Sequence, residues 1–229
     1  MNPGMNTIKI LLCDDHSIVR AALKCLLETA EDMLVVGEAE NGHQCVREAN
    51  RLRPDVVILD LAMPLLNGME AARQISKDLP RTRVLVVSSY GDDDHVLKMI
   101  EAGVSGYILK QSAATDLLDG VREAHQGNVF FSPSLARHLI HHPATITSET
   151  AKERSRHATL TRREAEVLQL IAESYANKQI ADILSLSGKT IEKYRTTLMD
   201  KLGIHGIADL TRYATRSGTV EAMGCGVPD

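Results

Sequence analysis

The chain has little of what marks several large protein classes. Its four cysteines (Cys13, Cys25, Cys45, Cys225) show neither CxxC pairing nor metal-ligand spacing. That argues against a cysteine-held metal and a disulfide framework, and they read as reduced, mostly buried small residues. No apolar run approaches the roughly 20 residues needed to cross a bilayer, so no membrane partner is expected. Residues 1–7 lack a basic region followed by an apolar core, so no signal peptide is expected and the cytoplasm is the expected compartment. No internal repeat is found.

What is present fits two domains. At 229 residues the chain is long for one compact domain. Residues 1–150 hold 14 Lys/Arg against 20 Asp/Glu, a net of −6, while residues 151–216 hold 12 against 8, a net of +4. An acidic front and a basic back indicate that only the back half meets a polyanion.

The front half alternates short apolar runs with helix-period segments. Strands are expected at 8–13, 34–36, 56–60, 84–88 and 107–109. Helices are expected at 17–30, 42–52, 68–78, 93–102 and 113–126. In the first helix Ile18, Val19, Ala22, Leu23, Leu26 and Leu27 fall on one face. Five strand–helix units in alternation indicate an α/β fold, a five-stranded doubly wound parallel sheet covered on both faces. A short helix follows at 132–141, with Ser132 as cap and Pro133 at its first position. Residues 142–158 are polar and aperiodic, a linker. Residues 160–217 are helix-rich, and residues 218–229 form an unassigned tail. The expected division is 6–127, 128–158, 159–217 and 218–229.

Polar residues close four of the strands: Asp14-Asp15, Asp60, Ser88 and Lys110. In a parallel sheet those ends share one edge, where ligands of such folds bind. Three carboxylates suit magnesium, which relieves their repulsion and neutralises an incoming phosphoryl group. Asp60 is then a nucleophile that forms an acyl phosphate. Lys110 neutralises phosphoryl oxygens and Ser88 donates a hydrogen bond to one. Taken singly, each has a plainer reading as a cap, a turn or a solvated loop residue. Their joint placement carries the argument.

The segments around Leu11-Leu12-Cys13-Asp14-Asp15-His16, Asp60-Leu61-Ala62-Met63-Pro64, Asn67-Gly68, Ser88-Ser89 and Gly106-Tyr107-Ile108-Leu109-Lys110 resemble the receiver domain of bacterial response regulators, over roughly residues 6–127. The resemblance implies a flavodoxin-like fold in which Asp60 takes a phosphoryl group from a histidine kinase. It implies magnesium held by Asp14, Asp15, Asp60 and the carbonyl of Ala62, with Ser88 and Tyr107 moving when Lys110 pairs with the phosphoryl group. By that pattern the helix 93–102 and the strand 106–109 form the face that changes, and Ala62 and Tyr90 tune phosphoryl lifetime.

In the back half, Thr161 and Glu164 form a capping box. A helix at 177–184, a Ser185-Leu186-Ser187 turn and a helix at 188–202 follow. On the last helix Ile191, Tyr194, Leu198 and Leu202 face the core, while Lys189, Glu192, Lys193 and Thr196 share the opposite side. That is a helix-turn-helix whose second helix enters the major groove, or else a merely solvated face. The segments 160–168, 177–181 and 187–203 resemble the LuxR-type DNA-binding domain, and the two resemblances together are those of the NarL/FixJ family of response regulators. They imply phosphate contacts from Asn177, Lys178, Lys189, Thr190, Arg195 and Lys201, and base-edge contacts from Glu192, Lys193 and Thr196. Glu192 equally suits a local salt bridge. Ser174 and Ala176 depart from the family, which more often has glycine and a hydroxyl residue there.

The expected function is transcriptional regulation in a two-component system, with Asp60 phosphorylation favouring a homodimer on paired DNA half-sites. RNA polymerase is a further partner to test. No enzymatic turnover is expected beyond weak self-phosphorylation and self-dephosphorylation at Asp60. The rival reading is a phosphorylation-independent DNA-binding regulator whose receiver serves protein contacts.

Overall fold

The computed structural model describes residues 7–89, 99, 102–112, 114–133, 135, 160–217 and 219–220. The chain divides into two compact units, 1–144 and 145–229. The described elements of the first are β1 (Ile8–Cys13), α1 (Ser17–Leu27), β2 (Met33–Ala39), α2 (Gly42–Leu52), β3 (Val56–Leu59), α3 (Gly68–Asp78), β4 (Arg83–Ser88), β5 (Gly106–Leu109), α4 (Ala114–Gln126) and β6 (Phe130–Phe131). The strands form one sheet in the order β2-β1-β3-β4-β5-β6, every pair parallel.

The sheet has six strands where the sequence indicates five. β6 is two residues long, too short for a period-2 pattern to register, and it pairs Phe130 with Gly106 and Phe131 with Tyr107. β3 and β5 are buried at every position, the continuous apolar reading of strands covered on both faces. Leu11, Val57, Leu59, Val84 and Val86 point to one face, against Cys45, Val46 and Ala49 of α2 and Ala71, Ala72 and Ile75 of α3. Ile10, Leu12, Val56, Ile58, Leu85 and Val87 point to the other, against Leu27 of α1 and Leu117 and Val121 of α4. Each such aliphatic side chain contributes about 1.5–3 kcal/mol by burial.

Helix α1 packs through a narrower stripe than its periodicity indicates. Leu27 is fully buried and Leu23 and Leu26 pack against the core. Ile18 is 83% exposed, and Ala22 is exposed beside it. Positions 18 and 22 lie at the edge of the stripe farthest from Leu27, on the flank that turns to solvent. The expected helix at 93–102 lies outside the described residues except for Met99, which is helical and buried, and Ala102, which lies in a turn. Of the expected helix at 132–141, Pro133 and Leu135 are helical, Ser132 precedes them, and the rest lies outside, as does most of the 128–158 connection.

The second unit contains α5 (Arg162–Ala172), α6 (Asn177–Leu184), α7 (Gly188–Leu202) and α8 (Ile207–Arg216). Val167, Leu168, Leu170, Ile171, Ile180, Leu184, Leu210 and Tyr213 are buried. From α7, Ile191, Leu198 and Leu202 join them, while Tyr194 is only half-buried. The Thr161/Glu164 capping box forms on α5. Ser187 caps α7 by accepting from the Thr190 amide, and Gly203 ends it at φ 66°, where glycine avoids the Cβ clash.

Candidate functional site

Three strand ends build one acidic cluster. Asp14 follows β1 and is held by its amide, which donates to the Ala39 carbonyl at 3.1 Å. Asp60 follows β3, and its amide donates to the Cys13 carbonyl at 2.8 Å. Lys110 follows β5, and its amide donates to the Ser88 carbonyl at 2.8 Å. These backbone bonds fix the side chains in register. Asn67 caps α3 by accepting from the Glu70 amide. Gly68 is required here, because a Cβ would collide with the Asp60 carbonyl. The start of α3 therefore packs directly against the Asp60 backbone.

Asp14 and Asp60 are only 2% and 4% exposed. Lys110 Nζ lies 2.8 Å from both Asp14 Oδ2 and Asp60 Oδ2, and its hydrogen bond to Asp60 Oδ2 bridges the two carboxylates. The other Asp60 oxygen accepts from the Leu61 amide at 2.8 Å. Burial pushes the Asp60 carboxyl above its ordinary pKa, against the pull of Lys110 and with the Asp14 charge adding to the rise. Burial works against the Lys110 ammonium, but its contacts with Asp14 and Asp60 prevail and raise its pKa. One cation facing two buried carboxylates leaves a surplus of negative charge.

The donor set fits a hard divalent cation. Ligand atoms of Asp14, Asp15, His16 and Asp60 lie within 4.8 Å of one another. Asp14 Oδ2 and Asp15 Oδ1 are buried and make no aligned hydrogen bond, although each has an ion-pair neighbour at 2.8 Å, Lys110 Nζ and His16 Nδ1 respectively. Carboxylate oxygens held close together with acceptor capacity left over suit magnesium. His16 is the residue that sequence reasoning passed over. Its amide donates to Asp14 Oδ1 at 2.8 Å, and the signal was its place directly after the Asp pair.

Ser88 and Tyr107 are both fully buried. Tyr107 sits among the apolar residues on the α2/α3 side of the sheet. Ala62 is half-buried in the β3–α3 loop, and Tyr90 lies outside the described residues.

In the second unit the nine candidate DNA residues divide. Lys178, Lys189, Glu192, Lys193, Thr196 and Lys201 are exposed, the last while paired with Glu164. Lys189, Glu192, Lys193 and Thr196 form the outer stripe of α7. The others are tied into the domain. Arg195 Nη1 donates to Asn177 Oδ1 at 2.6 Å, joining α7 to α6. Thr190 Oγ1 lies 2.8 Å from Ser187 Oγ in the cap of α7. Lys201 Nζ lies 2.8 Å from Glu164 Oε2. Glu166, 1% exposed, accepts from Arg162 and Arg163.

Ser174 takes φ 67°, the left-handed conformation that glycine adopts at least cost. Ala176 has no side chain with which to cap α6. Only the reciprocal half of a capping box remains, with Gln179 Oε1 accepting from the Ala176 amide at 2.9 Å.

An acidic cluster at the carboxyl edge of a doubly wound sheet, followed by a helix-turn-helix, defines a phosphorylation-type receiver joined to a DNA-binding domain. Residues 10–122 match the family "Response regulator receiver domain", and residues 158–214 match "Bacterial regulatory proteins, luxR family". The chain is 34% identical over 215 residues to the response regulator protein VraR of Staphylococcus aureus, covering 94% of this chain and 100% of that one. It is similar in structure to RcsB of Salmonella typhimurium, with TM-score 0.57, 28% identity, and 92% and 100% of the two chains covered. A structure of two RcsB dimers bound to two parallel DNAs gives TM-score 0.57 at 28% identity, covering 92% and 98%. The chain belongs to the response regulators of two-component systems that carry a LuxR-type DNA-binding domain. Among the described residues no helix is long and apolar enough to cross a membrane.

Proposed function

We propose that Asp60 is the phosphoacceptor of this regulator. One observation supports this most: Asp60 Oδ2 is held 2.8 Å from Lys110 Nζ beside Asp14. The donor phosphohistidine belongs to a histidine kinase. An Asp60 oxygen attacks phosphorus, the P–N bond breaks, and an acyl phosphate forms while the histidine leaves with the electron pair. Asp14, Asp15, Asp60 and the Ala62 carbonyl hold magnesium, which supplies charge neutralisation for the transferring group. Lys110 exchanges its carboxylate contact for a phosphoryl oxygen, and Ser88 donates to another. Burial of Ser88 and Tyr107 makes their rearrangement a repacking event, which spreads the change through the sheet edge. Slow hydrolysis at Asp60 returns the resting state.

The phosphorylated form dimerises on double-stranded DNA, as RcsB dimers do in the structure named above. Lys178 and Lys189 contact phosphates, and Glu192, Lys193 and Thr196 read base edges in the major groove. Asn177, Thr190, Arg195 and Lys201 lie beside this surface and act there through the shape of the two helices as well as through the DNA backbone. The functional units follow the division 6–127, 128–158, 159–217 and 218–229. The protein works in the cytoplasm, with RNA polymerase as a downstream partner.

The test compares wild type and Asp60→Asn with magnesium and a small phosphodonor, following phosphoryl incorporation, solution mass and promoter binding. Incorporation and dimer formation in wild type alone support the reading. Equal DNA affinity and mass with and without phosphodonor would favour phosphorylation-independent binding instead.

A further inference from the structure

Behind the acidic cluster lie two thiols that the phosphoryl chemistry does not use. Cys13 ends β1 and Cys45 lies early in α2. Both are free and buried, and their sulfurs are 2.6 Å apart. A disulfide bond is about 2.05 Å long, so the two sulfurs are in contact without being bonded. The two come from different elements, 32 positions apart in sequence. The fold makes this contact, not local chain geometry. The third described thiol, Cys25, is exposed on α1.

We propose that Cys13 and Cys45 are a redox modification site, converted to an intramolecular disulfide by hydrogen peroxide. One sulfur attacks a peroxide oxygen, the O–O bond breaks, and a sulfenic acid and one water result. The second thiol attacks that sulfur, the S–O bond breaks, and a second water leaves. The sulfurs give up two electrons in all, and their two protons end in the waters. Because both thiols are buried, oxidant reaches them through transient opening of the β1–α2 contact, more slowly than it reaches Cys25. The neighbouring thiol then captures the sulfenic acid before it oxidises further. The bond restricts the unfolded chain and ties the end of β1 to α2. Its anchor is close to the cluster, since the Cys13 carbonyl accepts from the Asp60 amide and Asp14 is the next residue.

The test treats the full chain with hydrogen peroxide, alkylates remaining thiols under denaturing conditions, and analyses a non-reduced digest by mass spectrometry. The expected product is a Cys13 peptide joined to a Cys45 peptide, lighter by two hydrogen atoms and separated by reductant. It is absent from Cys13→Ala and Cys45→Ala, and oxidation raises the unfolding temperature of wild type but not of either variant. Recovery of Cys13 and Cys45 as alkylated thiols, at a dose that fully modifies Cys25, would overturn the proposal. So would links that run only to Cys25 or between chains. The outcome does not depend on whether Asp60 accepts a phosphoryl group.

Discussion

Replacing Asp60 with asparagine should stabilise the first unit when magnesium is absent. Asp60 is 4% exposed, and burial is the largest influence on its raised carboxyl pKa. A carboxyl raised in the folded state binds more protons folded than unfolded. Stability therefore falls as pH climbs from the unfolded value near 3.9 through the folded value, and it stays low at neutral pH. Every tenfold rise in the carboxyl's proton affinity on folding costs about 1.4 kcal/mol at neutral pH. Asparagine keeps the shape without the charge, so it removes that cost, of which the repulsion with Asp14 is a part. The amide has one oxygen to serve both Lys110 Nζ and the Leu61 amide, so one hydrogen bond worth about 1 kcal/mol is lost. Lys110 keeps Asp14 Oδ2 at 2.8 Å. The expected sign is a net gain, and each 1 kcal/mol of it raises the unfolding midpoint by roughly 2–4 °C. Thermal unfolding between pH 4 and 7.5 measures it. Magnesium at about ten times its dissociation constant should add about 1.4 kcal/mol to wild type and less to the variant, which narrows the difference between them. A midpoint for Asp60→Asn below wild type at neutral pH without magnesium would refute this reasoning, as would identical pH dependence of the two proteins.

Lys110→Ala leaves Asp14 and Asp60 facing each other without their shared cation. It should lose about 2–3 kcal/mol in urea titrations without magnesium and recover part of that loss with it. Lys201→Met should destabilise the second unit by about 1 kcal/mol at neutral pH. Glu164 is driven upward by burial, but Lys201 and Thr161 outweigh this and lower its pKa. That stabilisation is present above the unfolded value near 4.3 and is lost as pH falls through the folded value. Chemical unfolding at pH 7 and at pH 3.5 should show a smaller deficit for the variant at the lower pH. Ala176→Thr supplies the missing cap of α6 and should add about 1 kcal/mol. Ser174→Gly relieves a left-handed serine and should add about 0.5–1 kcal/mol. Thermal scans of the two variants and their combination check both values.

The strands carrying the cluster were legible because a parallel strand covered on both faces is apolar throughout, and a charged residue ends it abruptly. Asp14, Asp60 and Lys110 stood out through their joint placement at successive strand ends, and the structure brings both carboxylates within 2.8 Å of the Lys110 nitrogen. β6 was hidden because two residues carry no period. Ile18 was misplaced because periodicity names a face without giving its width. The Cys13–Cys45 contact joins residues whose separation matches no local pattern, so only the tertiary fold shows it. Sequence position made Lys201 and Arg195 look equivalent to Lys189 as surface cations. Packing α7 against α5 and α6 engages the first two and leaves Lys189 outward.

The capping box on α5 has a further meaning for how the protein responds to ionic strength. Lys201 pairs with Glu164, and Arg162 and Arg163 share the one carboxylate of Glu166. A cation already paired within its own domain releases few counterions when it nears DNA. The twelve lysines and arginines of residues 151–216 therefore overstate the charge free to displace counterions, for which the exposed Lys178, Lys189 and Lys193 are the candidates. With about 0.9 counterions released per phosphate neutralised, each chain should contribute roughly −3 to the slope of log affinity against log salt. A regulator built this way holds its DNA across a wider range of salt than its lysine and arginine content indicates.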